Sequence, residues 1–291
     1  MPSLSYRSYG KVNLYLDILD RRADGFTNIE TVLQSIDLWD RLEVRKATSG
    51  IALTCSDPTL GAGPDNLVHR AAALLRKRAN IQSGVALHLE KNLPIAAGLA
   101  GGSGNAAATL IALNDLWELG WDIRQLRELA LELGSDVPFC LVGGTVAATG
   151  RGEKMKILPP MSTRWLVLVH PVLAVTAGHA YGHPELTRNR HVPVDGMTLP
   201  FRKALKQLDQ GRAEDMVFNR MESGIFCDHP ELAEIKDHLM TLGCSASAMS
   251  GSGPTVFGLC DDKTKARSIA KQITGIRTSV VCTVPYGVLR E

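Results

Sequence analysis

The sequence lacks long apolar runs and an excess of charge of either sign. No uninterrupted apolar stretch approaches the ~20 residues that cross a bilayer, and the N-terminal MPSLSYRSYGKVNLYLD shows no run typical of a signal peptide. The 32 Lys and Arg against 30 Asp and Glu leave a net charge of +2, which favours neither nucleic acid nor an anionic membrane as a partner. We therefore expect a cytoplasmic protein without nucleic-acid or membrane partners.

Cysteines and histidines show no pattern that would indicate a disulfide framework or a metal site. The six cysteines form no CxxC pair, and the eight histidines form no HExxH pattern. The cysteines within VPFCLVG and VFGLCDD have apolar neighbours and are typical of buried thiols. We expect neither disulfides nor a metal held by protein ligands alone.

Strand-like and helix-like segments alternate along the 291 residues, which predicts a mixed α and β protein. The predicted strands are Lys11–Ile18, Thr31–Leu38, Arg41–Lys46, Val85–Glu90, Gly143–Thr149, Trp165–His170, Thr255–Leu259 and Ser279–Val284. The predicted helices are Leu67–Arg78, Gly104–Leu119, Ile123–Leu133, Phe201–Gln210, Glu231–Leu242 and Asp262–Ile273. The stretch Gly150–Thr163 has little periodicity and a Pro pair that would end any element. A boundary there predicts two domains, residues 1–155 and 156–291, the second a small sheet with helices on one face.

The most informative stretch is LPIAAGLAGGSGNAAATLIAL, residues 93–113. Its glycines remove side-chain bulk and the Ala-rich run is a strong helix former, which predicts a loop that opens onto a helix N-terminus near Gly104. Backbone N–H groups and the helix dipole make such a place suitable for phosphate. The Ser103 hydroxyl could bind phosphate or help to hold Mg²⁺. The alternative is a glycine loop that serves only tight packing.

Two other nucleotide-binding motifs fit this stretch less well. A Walker loop requires Gly-Lys-Ser/Thr after the glycines, which this chain does not have. Gly102, Gly104 and Ala107 match GxGxxA, but a long loop containing proline follows the predicted strand that ends at Glu90. A dinucleotide fold needs a tight turn there. An NAD-dependent oxidoreductase stays open as the weaker alternative.

Phosphoryl transfer also needs an acid that orients or deprotonates the acceptor hydroxyl, and positive charge near the transferring oxygens. Asp136 in LGSDVPFC and Lys11 in YGKVNLYLDI are candidates because each is a charged residue among apolar neighbours. On position alone, Asp136 could instead cap a helix or a turn. Lys11 could be an ordinary lysine of an edge strand.

These stretches resemble the kinases grouped with galactokinase, homoserine kinase and mevalonate kinase. PIAAGLAGGSGNAA is similar to their phosphate-binding segment, and SGSGPTVFG to their third motif. GKVNLYL, LGSDVPF, RADGFTNIETVLQ and PELTRNR are similar to segments of the diphosphocytidyl-methylerythritol kinases, so the resemblance covers nearly the whole chain. It implies a two-domain α+β fold with an N-terminal, ribosomal-protein-S5-like α/β domain that binds ATP and a C-terminal, ferredoxin-like α+β domain on the substrate side.

The resemblance also implies roles for individual residues. Asp136 would orient or deprotonate the substrate hydroxyl, and Lys11 would position this acid and neutralise charge. The implied ATP-binding residues are Pro94, Ile95, Ala96, Ala97, Gly98, Leu99, Ala100, Gly101, Gly102, Ser103 and Gly104, with Asn66, Lys91 and Asn105 near the adenine. The implied substrate-binding residues are Asn13, Phe26, Thr27, Asp136, Thr176 and Tyr181. The implied supporting residues are Gly251, Ser252 and Gly253, in a turn that packs against the phosphate loop.

One departure from the family pattern concerns the base of the substrate. The diphosphocytidyl-methylerythritol kinases carry an aromatic residue followed by His after the Asp-Gly, whereas this chain has Phe26 followed by Thr27. Phe26 and Tyr181 could still hold cytosine between two aromatic faces. Backbone groups of residues 26–28 or the Asn28 side chain would then read its edge.

The activity that the resemblance implies is an ATP- and Mg²⁺-dependent phosphorylation of a hydroxyl in the cytidine diphosphate ester of methylerythritol, on the non-mevalonate route to isoprenoid precursors. A kinase of the same fold that acts on homoserine or a mevalonate-like alcohol is the alternative. A non-catalytic sensor on the kinase fold is a weaker one, because both Asp136 and Lys11 are present. We expect a monomer or a weak homodimer with small-molecule partners.

Overall fold

The computed structural model describes residues 3–189 and 195–291, whose strands form two sheets. The strands are β1 Leu4–Arg21, β2 Thr27–Ala47, β3 Ile51–Cys55, β4 Gly84–Glu90, β5 Thr145–Gly150, β6 Lys154–Ile157, β7 Trp165–His170, β8 Phe218–Asn219, β9 Ala246–Met249, β10 Val256–Cys260, β11 Arg277–Cys282 and β12 Val288–Arg290. The helices are α1 Leu67–Arg78, α2 Gly101–Leu116, α3 Ile123–Leu133, α4 Val137–Val142, α5 Ala177–Gly182, α6 Leu199–Asp209, α7 Glu222–Asp228, α8 Pro230–Thr241 and α9 Lys263–Gln272, with a 3₁₀ turn at Ala213–Met216. The mixed α and β class is confirmed.

The first sheet is built around its two longest strands, β1 and β2, which pair antiparallel. Its main path runs β12-β1-β2-β4-β3, while β5 and β6 extend from β2. On the side of β1 away from β2, β12 pairs with the start of the strand and β8 with its later part. Between these two partners, the backbone N–H of Lys11 donates to the Leu99 carbonyl oxygen at 3.0 Å. The segment that precedes α2 therefore covers this part of β1.

The second sheet runs β11-β7-β10-β9 with every neighbouring pair antiparallel, and α8 and α9 pack against it. Apolar residues join it to the first sheet. Val12 and Leu14 of β1 and Ile36 of β2 belong to one buried cluster with Leu168 of β7 and Phe257 of β10. Burial of these side chains, at about 1.5–3 kcal/mol each, holds this part of β1 close to the second sheet.

Long elements agree with the sequence predictions better than short ones. Helices Leu67–Arg78 and Ile123–Leu133 and strand Trp165–His170 have the predicted bounds. The predicted strands Thr31–Leu38 and Arg41–Lys46 are parts of the single strand β2, because the residues between them remain paired with β1. Strands β3, β6, β8, β9 and β12 and helices α4, α5 and α7 were not predicted. These strands have at most five residues and these helices at most seven, so neither group shows a clear period.

The chain crosses between the sheets more than once. The second sheet begins with β7, beyond the predicted boundary near residue 155, but β8 and β12 return to the first sheet beside β1. The division into residues 1–155 and 156–291 therefore stays a prediction. Among the residues that the structure describes, no helix is long and apolar enough to cross a membrane.

Gly287 provides a test of how the C-terminal segment packs against α4. An added Cβ would lie 2.0 Å from the Cys140 carbonyl oxygen and 2.9 Å from the Gly143 backbone nitrogen, and backbone atoms cannot rotate away. We expect Gly287→Ala to lower the free energy of unfolding by about 3 kcal/mol, the upper range for overpacking, as measured by urea denaturation. Gly61→Ala, where an added Cβ meets nothing within 4 Å, is the control. Equal stability of the two variants would contradict this packing.

Candidate active site

The loop of residues 94–100 leads from β4 towards α2 and contains three left-handed residues. Ala96, Gly98 and Ala100 have φ angles of 52°, 73° and 56°, a region that L side chains rarely adopt. Ala100 is the N-cap residue of α2 and makes no side-chain cap hydrogen bond. No N-cap side chain therefore accepts from the first N–H groups of α2, and these groups point out of the N-terminus of the helix. Such an N-terminus is suited to bind an anion.

The glycines that follow serve close packing rather than a loop conformation. Helix α2 begins at Gly101, so the predicted start near Gly104 is wrong: the glycine residues themselves form the first turn. An added Cβ at Gly101 would lie 3.2 Å from Lys91 Nζ, and one at Gly104 would lie 3.2 Å from the Tyr9 carbonyl oxygen. Glycine lets the start of α2 approach β1 and a buried lysine.

A buried polar network fixes the backbone just before the loop of residues 94–100. Lys91 Nζ donates to Asp40 Oδ2 and, at 3.3 Å, to Asn105 Oδ1. Asp40 Oδ1 accepts the backbone N–H groups of Asn92 and Leu93 at 2.7 and 2.8 Å, and its Oδ2 accepts from Asn105 Nδ2 at 2.8 Å. The Asp40 carboxylate is fully buried and pairs with a buried ammonium. Removal of either partner would leave an uncompensated buried charge.

Lys11 connects β1 to the loop through its side chain. Its ammonium donates to Asn13 Oδ1 at 2.6 Å and to the Gly98 carbonyl oxygen at 2.9 Å, and it lies 4.0 Å from Asp136 Oδ2. Asn13 is oriented in turn by the bond from its Nδ2 to Thr31 Oγ1 at 2.9 Å. The interpretation of Lys11 as an exposed edge-strand lysine is wrong, because the residue is 4% exposed beneath the loop. Burial lowers the pKa of Lys11, and the charge of Asp136 opposes this shift.

Asp136 immediately precedes α4 but does not act as its cap. The residue occupies the N-cap position, yet its side chain makes no cap hydrogen bond. The side chain is 45% exposed and remains directed to the space that it shares with Lys11. The capping interpretation is therefore wrong, and the carboxylate is available to a ligand.

The second glycine turn, residues 250–253, contacts the loop from the second sheet. Ser250 Oγ donates to the Gly98 carbonyl oxygen at 2.9 Å. Gly251 has a φ of 58°, and an added Cβ there would lie 3.1 Å from Lys11 Nζ and 3.3 Å from Asn13 Oδ1. The turn thus packs on both the loop and the buried lysine.

Two cavities meet at the loop of residues 94–100. We call the first, of about 440 Å³, the lysine cavity and the second, of about 490 Å³, the loop cavity. The lysine cavity is lined by residues that include Lys11, Asn13, Phe26, Thr27, Asp136, Arg151, Tyr181 and Gly251. The loop cavity is lined by residues that include Asn66, Lys91, Pro94, Ile95, Ala96, Ala97, Gly101, Gly102, Asn105 and Thr176. Both are lined by Gly98, Ala100, Ser103, Ala177 and Ser252, which form a shared wall.

Three predicted site residues line neither cavity. Leu99 is buried, and its carbonyl oxygen accepts from the backbone of β1. Gly104 faces the Tyr9 backbone, and an added Cβ at Gly253 would lie 2.5 Å from Met249 Sδ. These residues support the site through packing.

The residues predicted near the adenine share one cavity, but their polar groups already bind protein atoms. The Asn66 side chain caps α1 by accepting from Val68 N at 2.9 Å and donates to the Gly61 carbonyl oxygen at 2.8 Å. Lys91 and Asn105 bind each other and Asp40. In this structure these three residues therefore form part of the cavity wall, and their polar groups are engaged with other protein atoms.

The predicted base-binding residues are divided between the cavities. Phe26, 45% exposed, lines the lysine cavity beneath the Arg151 guanidinium, which lies 4.7 Å from its ring centroid. Tyr181 lines the same cavity and also packs against the core of the second sheet. Burial and the nearby Asp136 charge raise the pKa of Tyr181, which keeps the ring neutral. Thr176 lines the loop cavity instead, where its side chain caps α5 by accepting from His179 N at 3.1 Å.

The sequence patterns did not reveal two charged residues of the site. Asp40 lies within β2, where no motif distinguishes it from the neighbouring acidic residues. Arg151 follows β5 in the stretch that was interpreted as a domain boundary. The one signal for Arg151 was a basic residue between two glycines, which is weak by itself.

The sequence prediction of no metal held by protein ligands alone also overlooked a His-x-x-x-His pair, His179 and His183. Asp228 Oδ2 lies 2.8 Å from His179 Nε2 and 3.2 Å from His183 Nε2. His183 Nδ1 accepts the Glu185 backbone N–H at 3.1 Å, so a neutral His183 ring carries its proton on Nε2 and donates to Asp228. These hydrogen bonds lower the pKa of the Asp228 carboxyl and tie α5 to α7.

Comparison with known proteins gives consistent results over most of the chain. Residues 66–144 match the family described as the GHMP kinases N terminal domain, and residues 201–275 match GHMP kinases C terminal. Proteins named 4-diphosphocytidyl-2-C-methyl-D-erythritol kinase from Bacillus cereus and Bacillus anthracis are each 40% identical over 273 residues, 94% of this chain and 93% of the relative.

Solved structures show the same similarity. A crystal structure of 4-(cytidine 5'-diphospho)-2C-methyl-D-erythritol kinase has a TM-score of 0.82 and 34% sequence identity with this chain. The match covers 96% of this chain and 98% of the chain in that structure. A homoserine kinase from Cytophaga hutchinsonii has a TM-score of 0.77 at 18% identity, covering 100% of this chain and 98% of its own. The second similarity concerns the fold alone. The predicted two-domain kinase fold is confirmed.

The buried ammonium of Lys11 should be visible in the pH dependence of stability. Its pKa in the folded protein is below the ordinary value of about 10.4. Between these two values the unfolded chain binds more protons than the folded one, so the free energy of unfolding rises with pH. We expect wild type to gain stability relative to Lys11→Met as pH rises towards 10, as measured by urea denaturation. Lys46→Met, at an exposed lysine of β2, is the control. An equal change for both variants would contradict the burial of Lys11.

Proposed function

We propose, from the premise that the chain belongs to the 4-diphosphocytidyl-2-C-methyl-D-erythritol kinase family of the GHMP kinases, that it phosphorylates a hydroxyl of 4-diphosphocytidyl-2-C-methyl-D-erythritol with ATP. The reaction belongs to the non-mevalonate supply of isoprenoid precursors. The observation that carries the proposal is the shared wall of the two cavities. A phosphoryl donor in one and an alcohol in the other would meet at Gly98 and Ser103.

The loop cavity is the proposed place for ATP. The triphosphate would lie along the loop of residues 94–100 and at the start of α2, where backbone N–H groups and the helix dipole favour negative charge. Left-handed Gly98 and Ala100 turn the backbone at the shared wall. The adenosine part would occupy the more distant region of the cavity near Asn66 and Lys91.

The lysine cavity is the proposed place for the alcohol. The hydroxyl oxygen attacks the terminal phosphorus of ATP, the bond to the leaving ADP oxygen breaks, and Asp136 attracts or accepts the hydroxyl proton. Lys11, whose ammonium lies 4.0 Å from Asp136 Oδ2, adds positive charge near the transferring oxygens. Asn13 maintains the direction of the ammonium.

Mg²⁺ is the metal that this proposal requires, and the residues present fit it. Ser103 in the first turn of α2 and the half-exposed Asp136 carboxylate are oxygen donors at or beside the shared wall, and oxygen is the ligand that Mg²⁺ prefers. Mg²⁺ bound there with ATP would neutralise part of the phosphate charge. Ser103 would contact the metal or a phosphate oxygen.

Cytosine recognition is proposed to involve the part of the lysine cavity between Phe26 and Tyr181. Both rings line the cavity, and aromatic faces can hold a flat base between them. Thr27 also lines the cavity, although its hydroxyl is shorter than the His of the family pattern. The Asn28 amide donates to Asp20 at 3.2 Å. Thr27 and the backbone of residues 26–27 are therefore better placed than Asn28 to read the edge of the base.

A direct test of the proposed function is alcohol-dependent release of ADP. The protein is mixed with ATP and Mg²⁺, and the cytidine diphosphate ester of methylerythritol, homoserine or mevalonate is added in separate reactions. Of the three alcohols, we expect only the cytidine ester to give fast release of ADP. Release with homoserine or mevalonate would favour another alcohol kinase of the same fold, and release with none of them would leave the proposal without support.

Asp136→Asn separates a catalytic role from a structural one. The amide has nearly the same size but cannot accept the hydroxyl proton, so we expect turnover to fall by roughly 10²-fold or more. ATP affinity, measured by calorimetry, should be retained. Asp37→Asn, at an exposed residue of β2, is the control. Near-normal turnover of Asp136→Asn would remove the assignment.

Phe26→Ala tests recognition of the base. Phe26 is the better position for this test because it is 45% exposed, whereas Tyr181 contributes to the core. We expect the variant to bind the cytidine substrate more weakly by about 1–3 kcal/mol, the contribution of one base–aromatic stack, with unchanged ATP affinity. Tyr286→Ala removes an exposed aromatic ring outside both cavities and is the control. Equal affinity of wild type and Phe26→Ala for the cytidine substrate would exclude the stacking role.

A further inference from the structure

Asn219 lies at a junction between β1, the second glycine turn and the wall of the lysine cavity. It belongs to β8, the two-residue strand that pairs with β1, and it is 2% exposed. Its Nδ2 donates to the Met249 carbonyl oxygen at 2.7 Å and to the Gly251 carbonyl oxygen at 2.8 Å, while its Oδ1 accepts from Met221 N at 2.9 Å. A single buried amide therefore joins residues 219–221 to residues 249–251.

The turn that Asn219 holds is the one that contacts the candidate catalytic groups. Gly251 packs against Lys11 Nζ and Asn13 Oδ1, at 3.1 and 3.3 Å from the position of an added Cβ. The adjacent Ser250 donates to the Gly98 carbonyl oxygen, which also accepts from Lys11. A displacement of the turn would therefore move groups that directly contact the Lys11 ammonium and the Gly98 carbonyl oxygen.

A neighbouring residue of the same segment provides a contrast. Glu222 Oε1 accepts the Met249 backbone N–H at 2.8 Å, and its Oε2 pairs with Lys236. Glu222 thus fixes the end of β9 before the turn. The bond from Asn219 to Gly251 reaches the turn itself.

We propose that Asn219 is a positioning residue for phosphoryl transfer, acting through Gly251 and Ser250 on Lys11 and Gly98. The inference rests on the proposed function, because it assigns Lys11 a part in that reaction. Two carbonyl oxygens converge on the Asn219 amide, and loss of its N–H donors would leave both buried oxygens without this partner. The turn would then move to regain hydrogen bonds, and misplacement of the reacting groups by about 1 Å can lower turnover by about 10²-fold.

Asn219→Asp is the main variant of the test, because it keeps the size and the acceptor oxygen but replaces the donor by a carboxylate oxygen. We expect kcat to fall by on the order of 10²-fold with little change in the KM values of ATP and the alcohol. Asn219→Ser keeps one donor, so its kcat should be intermediate. Glu222→Gln is the matched control, which should lose thermal stability but keep kcat when assayed well below its Tm. Equal kcat values for Asn219→Asp and Glu222→Gln would overturn the proposal.

Hydrogen exchange separates this inference from the proposed function. The Ser250 N–H donates to the Thr255 carbonyl oxygen at 2.8 Å, and the Gly253 N–H donates to the Ser250 carbonyl oxygen at 2.9 Å. Both amides should exchange faster in Asn219→Asp than in wild type, whether or not the wild type phosphorylates any alcohol tested. Unchanged exchange would overturn the inference even if the kinase is active. Asn219→Ser carries both measurements if Asn219→Asp does not fold.

Discussion

The carbonyl oxygen of Gly98 is the contact on which the arrangement of the site depends. It accepts hydrogen bonds from Lys11 Nζ and from Ser250 Oγ, both at 2.9 Å. These bonds join β1, the loop of residues 94–100 and the second glycine turn at one atom. Only glycine suits this position, because φ is 73° and an added Cβ would lie 2.0 Å from the Ser250 carbonyl oxygen.

The same contact explains how a lysine can be kept in the interior. Burial alone disfavours the ammonium, and the lowered pKa of Lys11 shows that its hydrogen bonds and the Asp136 charge do not fully offset this effect. Asp136 itself is half exposed, so it can contact both the ammonium and a ligand in the lysine cavity. In the proposed reaction, this asymmetry places a fixed positive charge beneath an acid that a substrate can reach.

Features that depend on residue type or on long periodic segments could be predicted from the sequence. Lys11 and Asp136 were identifiable as charges among apolar neighbours, and long helices such as Ile123–Leu133 showed their period. The helix start at Gly101 could not be predicted, because the sequence gives no measure of how closely a helix approaches its neighbours. In the folded protein, glycine is needed there because an added Cβ would crowd Lys91 Nζ, and not for a left-handed conformation.

Features that depend on the meeting of distant segments were not available from the sequence. Asp40 becomes distinctive only when β4 brings Lys91 to it, and Asn219 lies in a strand of two residues that has no periodic signal. The family resemblance assigned Thr176 to the substrate, but its side chain caps α5 and lines the loop cavity.

The central claim is that donor and acceptor occupy separate cavities and meet at one wall. Calorimetric titration of the cytidine diphosphate ester of methylerythritol into the protein, with and without a saturating non-hydrolysable ATP analogue and Mg²⁺, tests it most directly. Separate cavities predict that the ester binds once per chain in both titrations, so that a ternary complex forms. Loss of ester binding in the presence of the analogue would show that the two ligands compete for one cavity and would contradict the account.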